Sequence, residues 1–105
     1  MKQQSATISW QQIRSITEQW TWTERRTGAR RSGFYPPQDA IKPQQKPYYV
    51  RAITSRGELI EGTVITLKVF TREHQRMVKF CSSNQIRRIR DYLVLEIDGI
   101  RVVTH

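Results

Sequence analysis

Leu93-Val94-Leu95-Glu96-Ile97-Asp98-Gly99-Ile100-Arg101-Val102-Val103-Thr104 decides the fold class of this chain. Leu93, Leu95 and Ile97 alternate toward Asp98-Gly99, a dipeptide favoured in two-residue hairpins because both of its residues tolerate positive φ. If Ile97 stands opposite Ile100, Leu95 pairs with Val102 and Leu93 with Thr104 on one face. Glu96 with Arg101, Val94 with Val103 and Tyr92 with His105 then share the other. Both faces carry apolar residues, so the second is also expected to be covered, by an N-terminal helix or by a neighbouring subunit.

Working upstream, more strands appear. Tyr48-Tyr49-Val50-Arg51-Ala52-Ile53-Thr54 is rich in aromatic and β-branched residues and runs into a Ser55-Arg56-Gly57 turn. Residues 59–70 read as one long strand whose apolar face switches: Ile60, Gly62 and Val64 lie on one side, Ile65, Leu67 and Val69 on the other. A bulge or sharp bend is required, and Gly62 is the expected hinge. Residues 76–81 form a further strand with Val78 and Phe80 toward the core, and Cys81 is expected to be a small buried hydrophobe. Ser82-Ser83-Asn84-Gln85 suits a turn or a helix start, and the spacing of Ile86 and Ile89 fits one helical turn better than a strand.

The stretch Ile53-Thr54-Ser55-Arg56-Gly57-Glu58-Leu59-Ile60-Glu61-Gly62-Thr63-Val64, with its two glycines five apart, resembles the first half of Sm-like small β-barrels. Met77-Val78-Lys79 is similar to the start of that family's fourth strand, although Lys79, Phe80 and Cys81 stand where bacterial members carry RNA-gripping aromatic and histidine residues. SH3-like barrels share the long bent strand and the glycine turns, and the chain from Ser82 onward departs from the family pattern. The resemblance covers about a third of the chain. It implies a mainly β fold, a small five-stranded antiparallel barrel over residues 48–105, and with it ring assembly and RNA binding.

Residues 1–47 read as three pieces. Trp10, Ile13, Ile16 (or Thr17) and Trp20 recur at helical spacing, with Ser9 as N-cap and Gln12 three residues on, so residues 9–19 are expected to form a short amphipathic helix that must dock to persist. Residues 20–35 then interleave Trp20, Trp22, Phe34 and Tyr35 with Arg25, Arg26, Arg30 and Arg31, four guanidinium groups within seven residues. This piece is either a hairpin turning near Gly28 or a mobile basic arm. Pro36, Pro37, Pro43 and Pro47, among glutamines, suggest a semi-rigid spacer before the β-module.

Eighteen Lys and Arg against nine Asp and Glu leave a formal charge of +9, and the sequence pI is about 10.5. That balance favours anionic partners, nucleic acid foremost. Trp20, Trp22, Arg25, Arg26, Arg30, Arg31 and Tyr35 form the first candidate site, suited to holding phosphates while rings stack on bases. The tryptophans alternatively staple the arm to the barrel. Arg87, Arg88 and Arg90, read as lying on a turn, form the second, with Lys79 nearby; their planar forks suit phosphate and also carboxylates such as Asp91.

Catalysis finds little support. His74 and His105 have no serine motif, metal-ligand spacing or glycine-rich loop around them, and Cys81 with the two histidines does not complete a zinc site. Nothing points to a cofactor or a small-molecule substrate. Met1-Lys2-Gln3-Gln4-Ser5 is not followed by an apolar region and no run is long enough to span a bilayer, so a cytoplasmic protein is expected. The residues thus lead to a non-enzymatic nucleic-acid-binding module that meets about four to six phosphates, with a salt slope of roughly −3 to −5. The alternative is a protein-interaction or assembly module, a homo-oligomer joined through the barrel edge and the Trp/Ile helix.

Overall fold

The structure, a computed structural model, describes residues 7–103. Its elements are β1 (Thr7–Ser9), a 3-10 turn (Trp10–Gln12), α1 (Arg14–Thr17), β2 (Trp20–Thr23), β3 (Arg30–Gly33), β4 (Ile41–Gln45), β5 (Tyr48–Ile53) and β6 (Leu59–Phe70). There follow β7 (Gln75–Phe80), β8 (Ile86–Arg90), a second 3-10 turn (Asp91–Leu93), β9 (Val94–Ile97) and β10 (Ile100–Val103).

The mainly β character expected from alternation is present, but the five-stranded antiparallel barrel is not. The strands form an open seven-stranded sheet, ordered β1-β10-β9-β5-β6-β7-β8, and a separate three-stranded sheet, ordered β3-β2-β4. The larger sheet is mixed, because β1 runs parallel to β10 with Ile8 opposite Val102. Closure fails for a simple reason: β5 is occupied by β6 on one side and β9 on the other, and β9 takes β10 as its second neighbour. Among the described residues, strand β8 pairs with β7 alone. The sheet nevertheless curls, so that Arg88 and Arg90 line a shallow depression with Ile53, Thr54 and Ser55.

The hairpin at Asp98-Gly99 has the anticipated register, Ile97 opposite Ile100 and Glu96 opposite Arg101. Beyond that pair the alternation breaks. Along β5, Val50 faces Ile97 and Arg51 faces Glu96, but Ala52 faces Val94, so Leu95 is bulged out of the ladder and exposed while Val94 is buried. The expected Leu95 and Val102 pair is absent, because the β9–β10 register stops at Glu96 opposite Arg101; on the other side of β10, Val102 faces Ile8. The partners proposed for Leu93 and Tyr92, Thr104 and His105, lie outside the described residues.

A second bulge answers the face switch in β6. Register slips between Thr66 and Lys68, which places the bend at Leu67 and not at Gly62. Gly62 is glycine for another reason. Its φ is +152°, and a Cβ there would come within 3.0 Å of the Phe80 ring, so a side chain would meet both backbone strain and steric conflict.

One core collects residues from both sides of position 48. Tyr48, Val50, Val64, Val78, Ile89, Val94 and Ile97 from the large sheet enclose Ile13, with Trp10 and Ile16 packed against them. Burial of Ile13, 1 % exposed, contributes about 1.5–3 kcal/mol and explains how so short a segment docks. The expected helix over residues 9–19 is realised as a 3-10 turn, capped as anticipated by the Ser9 hydroxyl accepting from Gln11 N–H, and a single α turn. The Thr17 hydroxyl bonds back to the Ile13 carbonyl at the helix end. The Pro/Gln stretch contributes a strand, β4, antiparallel to β2. Its one proline within the strand, Pro43, is accommodated because β4 has only one neighbour in the sheet.

Cys81 is exposed; its N–H donates to the Thr63 carbonyl in the turn after β7. The chain at Ile86 and Ile89 is strand β8 rather than a helical turn. Pairing against β7 supplies its backbone hydrogen bonds and overrides the local spacing. Among the described residues no helix is long and apolar enough to cross a membrane.

Candidate cationic face and aromatic cleft

Alternation in β6, β7 and β8 sorts their side chains onto two faces. Val64, Thr66, Arg76, Val78, Phe80 and Ile89 turn inward and are buried. Across the outer face the registers set three rows: Ile65, Lys79 and Ile86; Lys68, Met77 and Arg88; Phe70, Gln75 and Arg90. Lys68, Lys79, Arg88 and Arg90 thus share one surface. At strand spacings of about 4.8 Å, and about 6.7 Å between alternate residues of one strand, their Cα atoms lie within roughly 10–15 Å of one another.

No carboxylate occupies any position of those rows, and none of the four cations forms an ion pair among the described residues. Two of them converge on one ring: the Arg88 guanidinium carbon lies 3.9 Å and the Lys68 ammonium 5.1 Å from the Phe70 centroid. The ring's electron-rich face holds both in place without neutralising them. Arg90 is positioned by the Tyr92 hydroxyl, which accepts from it at 3.3 Å. Positive charge on β8 also opposes strand addition at this free edge.

Several of the acids are engaged elsewhere. Arg51 lies 3.2 Å from Glu61 and 3.6 Å from Glu96, and the Tyr49 hydroxyl donates to Glu61. That last bond, made to a carboxylate, raises the pKa of Tyr49. Beneath the sheet, Arg76 is 3 % exposed and donates to both Asp91 oxygens, at 2.8 and 3.1 Å, to Glu18 at 3.3 Å and to the Thr17 hydroxyl. Burial opposes its charge, but the bonds and field of Asp91 raise its pKa on balance. Beside this network the Tyr48 hydroxyl shares a hydrogen bond with Thr66, and burial pushes its pKa up to about 12.

Of the residues singled out from sequence, Lys79, Arg88 and Arg90 come together. Lys79 lies on a strand as expected, whereas the arginines lie on strand β8 and not on the expected turn; Arg87 alternates to the other face of β8, and both it and Arg88 border a depression with Arg56 and Glu58. Lys68 was missed by the sequence reading. Its signal was its outward position in β6, hidden until the bulge at Leu67 fixed which residues point out.

The first cluster is dispersed. Residues 20–33 form the β2–β3 hairpin, closed around Glu24 and Ala29. Trp22 is buried, its indole against Gly33, where a Cβ would approach to 3.2 Å, and little of its ring is open to a stacked base. Arg31 is matched by Glu24 at 3.0 Å, and bonds from Thr27 and Arg31 lower the Glu24 pKa. Arg25 donates to the Asp39 carbonyl. Arg26 and Arg30 remain exposed, with Arg30 on the face opposite Trp22. Trp20, Phe34 and Tyr35 instead border a cleft of about 340 Å³ against Leu67, Lys68 and Val69 of β6.

No family model, curated protein or solved structure matches the chain. Among the described residues no group of three or more His, Cys, Asp or Glu side chains is placed to hold a metal ion. His74 lies edge-on to Trp10, with ring centroids 5.2 Å apart.

Proposed function

We propose that this protein is a non-enzymatic module that binds nucleic acid through the phosphate backbone, using the outer face of β6, β7 and β8. The observation that carries this reading is the grouping of Lys68, Lys79, Arg88 and Arg90 on one surface without a carboxylate in its rows. Phosphate contacts need cations that have not already been neutralised by the protein, and counterion release on contact supplies the affinity. The strands fix the backbone spacing of these groups, and contacts with Phe70 and Tyr92 restrain Lys68, Arg88 and Arg90 before binding. Base-edge recognition forms no part of the reading.

The magnitude follows from the count of cations. If each of the four meets one phosphate, log affinity falls with log salt at a slope of about −2.8 on single strands and −3.6 on duplex. Between 50 and 200 mM KCl that amounts to roughly 50-fold and 150-fold weakening. Fluorescence anisotropy with labelled oligonucleotides measures it. Affinity that ignores salt, or that survives replacement of all four cations by glutamine, contradicts the reading.

A further inference from the structure

The cleft between the small sheet and β6 has three aromatic residues on one side, Trp20, Phe34 and Tyr35, and Leu67 and Val69 on the other. Tyr35 is 81 % exposed and Phe34 37 %, with Leu67 40 % exposed across from them. At about 340 Å³ the space lies near the lower end of the roughly 300–1,000 Å³ range of small-ligand sites, enough for one ring system. Arg14 holds Phe34 from behind, its guanidinium carbon 5.8 Å from the ring centroid.

Charge decides which ring system. Two charged residues line the cleft, Glu18 and Lys68. Glu18 is compensated, 3.6 Å from Arg14 and 3.3 Å from Arg76, whereas Lys68 has no acidic partner among the described residues. The uncompensated charge at the cleft is thus positive, and its bearer also belongs to the cationic face. Flat apolar rings beside a free ammonium match the two halves of a nucleotide, a base with two π-faces and a phosphate. In a duplex both faces of each base are hidden in the stack, and extracting one costs a few kcal/mol. A single strand offers its bases without that cost.

We infer that the cleft receives an unstacked base and that single-stranded nucleic acid is the preferred partner, its backbone running from Lys68 onto the β7–β8 face. The inference rests on the proposed function and narrows it to a substrate class. Residues outside β6–β8 then contribute to recognition, with Tyr35 and Trp20 as stacking groups.

Anisotropy with the full chain, labelled oligothymidylate and a duplex of equal length at one salt concentration tests it. Oligothymidylate should bind on the order of ten-fold tighter than duplex. Tyr35→Ala, at a solvated position that folding does not depend on, should weaken single-strand binding on the order of ten-fold, as expected for loss of one stacked base, and Tyr35→Phe should restore it. Oligothymidylate should quench tryptophan emission, and Trp20→Phe should remove most of that quenching. Equal affinity for the two forms, or a Tyr35→Ala variant that binds single strands as wild type does, overturns the cleft assignment while leaving the cationic face standing. Salt-independent binding, or none, to either form overturns both. A dimer seen by light scattering and dissolved by Tyr35→Ala would assign the cleft to a second copy of the chain and overturn the inference.

Discussion

Replacing Asp91 with alanine should strand the Arg76 guanidinium in the core. Arg76 is 3 % exposed and Asp91 7 %, and the carboxylate accepts from Nε and an Nη of Arg76 at 2.8 and 3.1 Å. Removing one partner of such a pair costs about 3–5 kcal/mol, because the remaining charge keeps its desolvation penalty without its compensation. Glu18, at 3.3 Å and partly solvated, retains a share of the interaction, which places the expected loss near the lower end, about 3 kcal/mol. Against an ordinary total stability of about 5–15 kcal/mol that is a large fraction. With an m-value of about 1–3 kcal/mol/M, the urea midpoint should fall by roughly 1–3 M. Replacing both partners, as Arg76→Met with Asp91→Leu, removes the charges together and should recover most of the loss. Urea unfolding followed by tryptophan fluorescence of Arg76→Met, Asp91→Leu and the double variant closes a double-mutant cycle. Single-variant losses that merely add, with coupling below about 0.5 kcal/mol, would refute the argument that the two side chains form one buried unit. The same network holds Thr17 and Glu18, which border the aromatic cleft. Asp91→Ala protein that remains folded should therefore also lose single-strand preference.

Other outcomes follow from the same geometry. Gly62→Ala adds a Cβ within 3.0 Å of the Phe80 ring at φ +152° and should cost about 1–3 kcal/mol in thermal unfolding; an unchanged melting temperature would contradict the close approach. Tyr48, with its pKa raised from 10.0 to about 12, binds its proton more tightly folded than unfolded. Its contribution is complete below pH 10 and should be lost as pH rises toward 12, a change of about 2–3 kcal/mol. Unfolding at a series of alkaline pH values should show this fall, and Tyr48→Phe should remove that part of it. Arg90→Gln should lower the magnitude of the salt slope by about 0.7 on single strands, while Arg31→Gln, whose charge is already met by Glu24, should leave it nearly unchanged. Equal effects of the two substitutions would count against the β6–β8 face.

Composition and local pattern were enough to determine that this chain is rich in strands, that it reverses at Asp98-Gly99 with Ile97 opposite Ile100, and that its cations outnumber its acids two to one. These properties are local or additive: side-chain alternation, turn chemistry and charge count depend on neighbouring residues or on none. Strand partnership beyond the hairpins is different, because the pairing of β5 with β9 and of β1 with β10 joins residues distant in sequence. An open mixed sheet and a closed barrel share much of their local text. The two bulges, at Leu67 and Leu95, each turn following residues to the opposite face, and this is what brought Lys68 into the site and put Leu95 outside the core. Tertiary structure likewise decided which arginines remain free. Arg31 and Arg76 look no different in sequence from Arg88 and Arg90, yet the fold gives the first two carboxylate partners and leaves the others facing solvent without an ion pair among the described residues. Neutralisation is a matter of a few ångströms, and only the packed chain sets that distance.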